Sequence, residues 1–268
     1  MKILGSVLAL VLAVQAGKEP RPPQDIPPIG KAKPLLYEDF ETTAPGQIPK
    51  GYQKQGEVAV VDGVGHSGRR CLRVEAAVNG PRRITANGDA IKAIGGQHWG
   101  RLYYKVQLPT AVPANGVIHS TLVAGSATSP LAKDPIEVRP LDTILNTGGQ
   151  YGFIYNVQPR QRPEFGKGSP GTFKFTDQWT LAEWYVDFAT QTYRLFINGE
   201  EVKEIAFMKG AGQFKDAEIP ESFESLSFGW WNYQKAEPGF VAFIDDIAIA
   251  KDRLGARLVP PPAKGLKK

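Results

Sequence analysis

The sequence predicts an all-β protein, a two-sheet antiparallel β-sandwich of the jelly-roll kind, and three observations carry that expectation. Apolar residues recur with a period of two, as in Arg101–Leu108, Glu183–Phe188 and Tyr193–Ile197. Turn-forming residues punctuate these runs every ten or so positions. No stretch sustains a helical period, and Phe214–Phe223 holds at most one short helical turn. Many strands without helices in a body of this size pack as two antiparallel sheets.

Composition agrees and narrows the function classes. The 268 residues include 29 Gly and 22 Pro, about a fifth of the chain, high for a helical protein and below the level of a disordered one. Aromatic residues at 10% also argue against disorder. Cys71 has no cysteine partner, and one Cys with three scattered His cannot build a Cys/His zinc site. The net charge of +5 suits solubility or an acidic polymer as partner. Nucleic acid is not expected, because the only dense basic stretch is the short tail with Lys264, Lys267 and Lys268.

From the N-terminus, Met1-Lys2, the apolar run Ile3–Val14 and the small-x-small triplet Val14-Gln15-Ala16 read as a secretory signal peptide over residues 1–16. The run is too short to span a bilayer, so a secreted or periplasmic location without a membrane span is expected. Residues 17–34 read as a Pro-rich linker, 35–258 as the β-sandwich domain, and 259–268 as a Pro-rich basic tail. A monomer is expected.

Within the domain, Asn198-Gly199 between Tyr193–Ile197 and Val202–Phe207 is a strong hairpin signal. Alternation assigns faces, because neighbouring side chains on a strand point to opposite sides. Leu102, Tyr104, Val106 and Leu108 make a core row, which leaves Arg101, Tyr103, Lys105 and Gln107 outside. Ile118, Ser120 and Leu122 turn inward, so His119 and Thr121 turn out. Trp184, Val186 and Phe188 turn in, leaving Glu183, Tyr185 and Asp187 out. Leu226, Phe228 and Trp230 turn in, and Trp231 and Tyr233 emerge with the opposite parity. Aromatic platforms beside charged and hydrogen-bonding groups are what a sugar chain requires, since its rings stack and its hydroxyls need partners. Tyr103, Lys105, Gln107, Glu183, Tyr185, Trp231 and Tyr233 are therefore candidate substrate-binding residues. An ordinary solvated face carrying chance aromatics is the plainer reading.

Three separated segments read as one ion site: Glu38-Asp39-Phe40-Glu41, the Gly-rich loop Asp62–Gly68 and Asp245-Asp246 in the final strand Phe243–Ile249. Calcium takes about six to eight oxygens from carboxylates and loop carbonyls. First and last strands of a sandwich often pair, which brings Glu41 near Asp245 or Asp246. Two adjacent Asp inside an apolar strand are costly unless paired or metal-bound. A structural calcium held by Glu41, Ser67, Asp245 and Asp246 is the expectation. The alternative is one solvated Asp and one accepting backbone hydrogen bonds.

The same residues carry a resemblance. Tyr37-Glu-Asp-Phe-Glu41, His66-Ser-Gly-x-x-Cys-Leu-Arg-Val74 and Ile244-Asp-Asp-Ile247 resemble carbohydrate-binding β-sandwich modules with bound calcium. His98-Trp-Gly-Arg101, Trp179 with Glu183-Trp184, Ile197-Asn-Gly199 and Phe228-Gly-Trp-Trp-Asn232 resemble the cellulose-induced secreted proteins of fungi and their bacterial relatives. Their concanavalin A-like jelly roll is similar to that of glucuronan lyases (polysaccharide lyase family twenty) and, more distantly, alginate lyases. The resemblance covers roughly Leu35–Leu258 as scattered short motifs. It implies that Arg101 reaches a cleft. Val117-Ile118-His119 resembles the Gln-Ile-His segment of alginate lyases, with Val117 in place of Gln. Tyr151–Gln158 is similar to their Tyr-Asn-Gln strand, with Val157 inserted between Asn156 and Gln158.

A polysaccharide lyase removes the proton beside a uronate carboxylate and expels the glycosidic oxygen. The carboxylate charge must first be neutralised by an Arg or an amide. Arg101 with Gln158 or Gln107 would do this on the concave sheet, His119 or Tyr155 would take the proton, and a Tyr can return one to the leaving oxygen. The candidate catalytic set is Arg101, His119, Tyr155 and Gln158. A hydrolase pair is disfavoured: Glu183 and Asp187 share a face but sit about 13 Å apart along a strand, wider than paired carboxylates need. A non-catalytic carbohydrate-binding module using Trp231, Tyr233 and Tyr103, or an envelope structural or interaction protein, are the other readings.

Overall fold

The computed structural model describes residues 28–31, 33–129, 134–158, 165–206 and 221–256. The expected signal peptide, most of the linker, the basic tail and most of Phe214–Phe223 lie outside the described residues. Two antiparallel sheets account for the described strands. One contains β1 (Leu36–Glu38), β3 (Val58–Asp62), β4 (Arg70–Val74), β6 (Gln97–Val106), β11 (Thr180–Asp187), β12 (Thr192–Ile197), β13 (Glu200–Glu201) and β15 (Ala242–Ala250). Its order is β13-β12-β11-β6-β15-β4-β3, with β1 also paired to β15. The other contains β2 (Tyr52–Gln55), β5 (Gly80–Asn87), β7 (Val117–Thr128), β8 (Ile136–Asn146), β9 (Tyr151–Gln158), β10 (Phe165–Gly168) and β14 (Ser222–Asn232). It runs β10-β9-β8-β7-β14-β5-β2. A single helical turn, α1 (Asp89–Lys92), is a difference from the helix-free expectation.

The inner faces follow the sequence alternation. Leu102, Tyr104 and Val106, Ile118 and Leu122, Trp184, Val186 and Phe188, and Leu226, Phe228 and Trp230 all lie in one buried core. Gly100 has a packing reason: a Cβ there would stand 2.1 Å from the Trp184 indole. Tyrosines tie the layers together. The Tyr104 and Tyr151 hydroxyls are 2.7 Å apart, and the Tyr193 hydroxyl donates to the Pro140 carbonyl at 2.6 Å. Such bonds in a dry core compensate these buried hydroxyls and fix how the sheets face each other.

Two local expectations change. β6 ends at Val106, so Leu108 lies beyond it and is 46% exposed rather than in the core row. The Asn198-Gly199 hairpin forms with φ of 50° and 88°, the left-handed pair that such a turn requires. Its second strand is only Glu200–Glu201.

Candidate functional site

The two sheets expose different outer faces, and this divides the sequence-predicted set. Arg101, Tyr103, Lys105, Glu183 and Tyr185 stand on the β6–β11 side of the first sheet; His119, Trp231 and Tyr233 stand on the second. Alternation gives in or out for each strand and does not say which sheet a strand joins.

The first face is largely closed by the chain itself. Arg101 is 1% exposed, and its guanidinium donates to the Gly255 carbonyl at 2.7 Å. Glu183 accepts two bonds from Arg253, at 3.2 and 2.8 Å, and the Gly255 backbone N–H at 2.8 Å. Tyr103 is buried beneath the His66 ring, stacked at 3.6 Å. Lys105 lies over Trp179 and Phe243 and pairs loosely with Asp177 at 3.7 Å. The Tyr185 hydroxyl accepts from Gln97, and Gln107 lies just past the end of β6, where its N–H bonds the Val241 carbonyl. Arg101 and Glu183 are thus structural clamps on the segment after β15, not cleft residues. Tyr155 is corrected too. Tyr151, Phe153, Tyr155 and Val157 form the inward row of β9, and Tyr155 stacks on Tyr193 at 4.2 Å inside the core. The proposed catalytic set therefore does not converge.

The expected ion-site residues do come together. β1 pairs with β15 through Glu38↔Ile247, as first and last strands. A bulge between Asp245 and Ala248, with Asp246 at φ 49°, breaks the alternation and lets adjacent carboxylates address one loop. Asp245 accepts the His66 and Asp246 backbone N–H groups; Asp246 accepts from Ser67 Oγ and meets His66 Nδ1, each at 2.6 Å. Glu41 accepts the Arg69 and Arg70 N–H groups at 2.8 and 2.6 Å. Burial and the neighbouring Asp246 charge push the Asp245 carboxyl up to about 8. These oxygen donors suit a hard cation in kind, and Asp245 and Asp246 are buried carboxylates whose adjacent ionisable ring is His66. Among the described residues no three His, Cys, Asp or Glu side chains are placed to hold a metal ion together.

The second face gathers the remaining chemistry. His119 Nε2 lies 2.7 Å from Asp142 Oδ2, and Gln234 Oε1 accepts the His119 backbone N–H at 2.7 Å. Asp142 is fully buried; burial raises its carboxyl pKa, while the His119 hydrogen bond and Arg139 oppose that rise. Arg139 bonds Glu137 through Nε and stands 3.9 Å from Asp142. The Tyr233 ring is 4.9 Å from His119, and its hydroxyl is 3.1 Å from Thr121 Oγ1. Burial pushes the Tyr233 phenol up to about 12. Beyond it a stacked column runs along the face: Arg139 lies 4.5 Å from the Tyr233 centroid, Tyr233 5.1 Å from Trp231, and Trp231 4.6 Å from the Arg83 guanidinium. Asn156 and Gln158 sit on the outward row of β9, opposite Arg139 and Glu137. With Asp142 ionised, His119 Nε2–H donates to it and Nδ1 is left as a base.

Sequence reasoning missed Asp142, Arg139 and Arg83. The first two lie in a strand whose alternation is interrupted by Pro140, and the β8–β9 register shifts between Arg139 and Asp142. Counting outward from the core residues Leu141, Thr143 and Leu145 would have placed Asp142 on the His119 face.

No family model matches the chain, and no curated protein matches it. Solved structures do. Cellulose induced protein Cip1 aligns over 83% of this chain and 100% of its own, at TM-score 0.57 and 19% identity. The endo-β-1,4-glucuronan lyase of the fungus Trichoderma reesei aligns over 81% and 95%, at TM-score 0.53 and 12% identity. A carbohydrate esterase of a Shiga toxin-encoding bacteriophage aligns over 82% and 98%, at TM-score 0.50 and 13% identity. Among the described residues no helix is long and apolar enough to cross a membrane. The chain has the jelly-roll fold shared by the cellulose-induced protein, whose group its sequence motifs resemble, and the glucuronan lyase.

Proposed function

We propose that this chain is a secreted polysaccharide-binding protein that cleaves an acidic, uronate-containing polymer by β-elimination on the outer face of its second sheet. The His119–Asp142 pair carries the reading: a histidine near the start of β7 with one nitrogen held by a buried carboxylate, beside an aromatic row. Asp142 orients the ring, His119 Nδ1 takes the proton beside the uronate carboxylate, and the Tyr233 hydroxyl returns one to the glycosidic oxygen. The positive charge of Arg139, beside Asp142 on the same face, offsets that of the uronate carboxylate. The similarity in fold to a glucuronan lyase supports the substrate class.

Incubation with glucuronan, alginate and pectate, followed by ultraviolet absorbance of the unsaturated product, tests the reaction. A rise with one polymer that disappears in His119→Ala is expected; no rise with any polymer overturns it. Binding without cleavage is the second reading, favoured by Val117 standing where alginate lyases carry Gln. Retention on an acidic polysaccharide column with no product would establish that reading instead. A structural calcium at Glu41, Ser67, Asp245 and Asp246 belongs to the same proposal. It predicts a lower unfolding temperature in chelator, restored by added calcium, and an unfolding temperature indifferent to chelator removes it.

A further inference from the structure

The catalytic reading leaves Arg83 unused, yet its surroundings are built. Arg83 projects from β5 with Nε bonded to Gln55 Oε1 at 2.9 Å and its plane laid on Trp231. Among the described residues it forms no ion pair, whereas Arg139 on the same face is engaged with Glu137 and Asp142. Its guanidinium is fixed at one nitrogen and one face, with the terminal nitrogens still to be used. That is the preorganised fork which recognises a planar carboxylate bidentately.

Arg83 also borders a cavity of about 160 Å³, walled by Glu137 and the small polar residues Ser126, Ser225 and Ser227. The hollow exists because the outward positions of β7 and β14 there are small, one Ala and three Ser, opposite each other at Ser225↔Ser126 and Ser227↔Ala124. The cavity lies toward the Thr128 end of β7, on the order of 15 Å along the strand from His119. Trp231 and Tyr233 stack on each other and are flanked by guanidiniums, so the column offers edges and charge more than open ring faces.

Building on the lyase-like reading, we propose that Arg83 and this cavity form a second, distal subsite that binds the carboxylate of another uronate in the same polymer chain. The sugar's carboxylate faces Arg83, and Glu137, whose Oε1 is taken by Arg139, accepts a sugar hydroxyl from the opposite wall. The site therefore selects a polymer acidic along its length, and its contribution depends on a ligand long enough to reach from His119 to Arg83.

Titration calorimetry with an oligoglucuronate length series, matched neutral cello-oligosaccharides and a sulfated neutral oligosaccharide tests this on the full chain, in the wild type and in Arg83→Gln and Arg83→Lys. Wild-type affinity should rise with oligoglucuronate length, and Arg83→Gln should weaken the long oligomers roughly tenfold or more. The shortest acidic oligomers and the unfolding temperature should hardly change. Arg83→Lys should recover only part of the loss, because a point charge lacks the fork. Long-oligomer affinity in Arg83→Gln within twofold of wild type overturns the subsite while leaving the catalytic face intact. Tighter, equally Arg83-dependent binding of the sulfated ligand overturns the carboxylate assignment. Failure of the wild type to bind any acidic oligomer instead removes the underlying reading, and the subsite with it.

Discussion

The outer faces of the two sheets are made from similar residues and do opposite things. On the first, Arg101, Glu183 and Arg253 are buried and paired among themselves and with the Gly255 backbone. On the second, His119, Tyr233, Trp231 and Arg83 are held in place while keeping groups turned to solvent. Both carry arginine, acid and aromatic residues on middle strand positions. The difference is a covering: the chain after β15 lies over the first face, where Leu254 is buried and the Gly30 N–H bonds the Arg253 carbonyl. Buried ion pairs with several extra hydrogen bonds organise structure, whereas chemistry needs a group whose second valence is left for a ligand.

The largest effect that would break this contrast belongs to Asp142. Asp142→Asn replaces the acceptor that fixes the His119 tautomer, and turnover on an acidic polymer should fall on the order of 100- to 10,000-fold. Affinity for the same polymer should move far less, because Asp142 is buried and does not face the ligand. Steady-state kinetics beside binding on the inactive variant separates the two. Turnover unchanged in Asp142→Asn would mean that the second face is not the catalytic one.

Glu183 probes the covered face from the other side. Glu183→Gln leaves the Arg253 guanidinium buried without its carboxylate, a loss of about 3–5 kcal/mol when one member of a buried pair is removed. At ~2–4 °C per kcal/mol for a domain of this size, the unfolding temperature should drop on the order of 10 °C. Turnover per folded molecule should stay at the wild-type value. A variant that keeps its unfolding temperature but loses turnover would return Glu183 to the cleft.

Particular residues show how much of this was legible in the sequence. The sandwich, its core rows and the emergence of Trp231 and Tyr233 follow from alternation, since the side-chain period on a strand is two. The pairing of β1 with β15 matches the expectation that first and last strands meet. It sets Asp245 and Asp246 against the loop of His66 and Ser67, while Glu41 is taken by the Arg69 and Arg70 N–H groups. What failed needed information beyond one strand. Arg101 and His119 have the same outward parity and lie on different sheets, because strand order in a jelly roll is non-local. Tyr155 turned inward because its row of β9 is Tyr151, Phe153 and Val157, a parity that the resemblance to a Tyr-Asn-Gln strand obscured. Asp142 was hidden by the irregularity around Pro140.

The smallest expected effect lies between the faces, at His98. Its ring is fully buried on the inward row of β6, 5.6 Å from Phe223, and among the described residues neither ring nitrogen has a hydrogen-bond partner. Burial, with a smaller push from Lys251, holds its pKa down to about 3. The unfolded chain takes up this proton near the ordinary value of about 6.5. The stability contributed by a neutral His98 is therefore complete above that pH and is lost as pH falls toward 3, where the unfolded state binds the extra proton. His98→Phe keeps an aromatic ring and removes both the titration and the unpartnered nitrogens. Thermal unfolding at pH 7 should change by no more than a few degrees, upward, as an unsatisfied polar group is removed. At pH 4 the variant should exceed the wild type by a larger margin. Because neither outer face is touched, polymer binding and turnover should remain as they were. A variant whose deficit or gain is the same at both pH values would show that His98 does not titrate with unfolding and that the acid sensitivity of this sandwich resides on its faces.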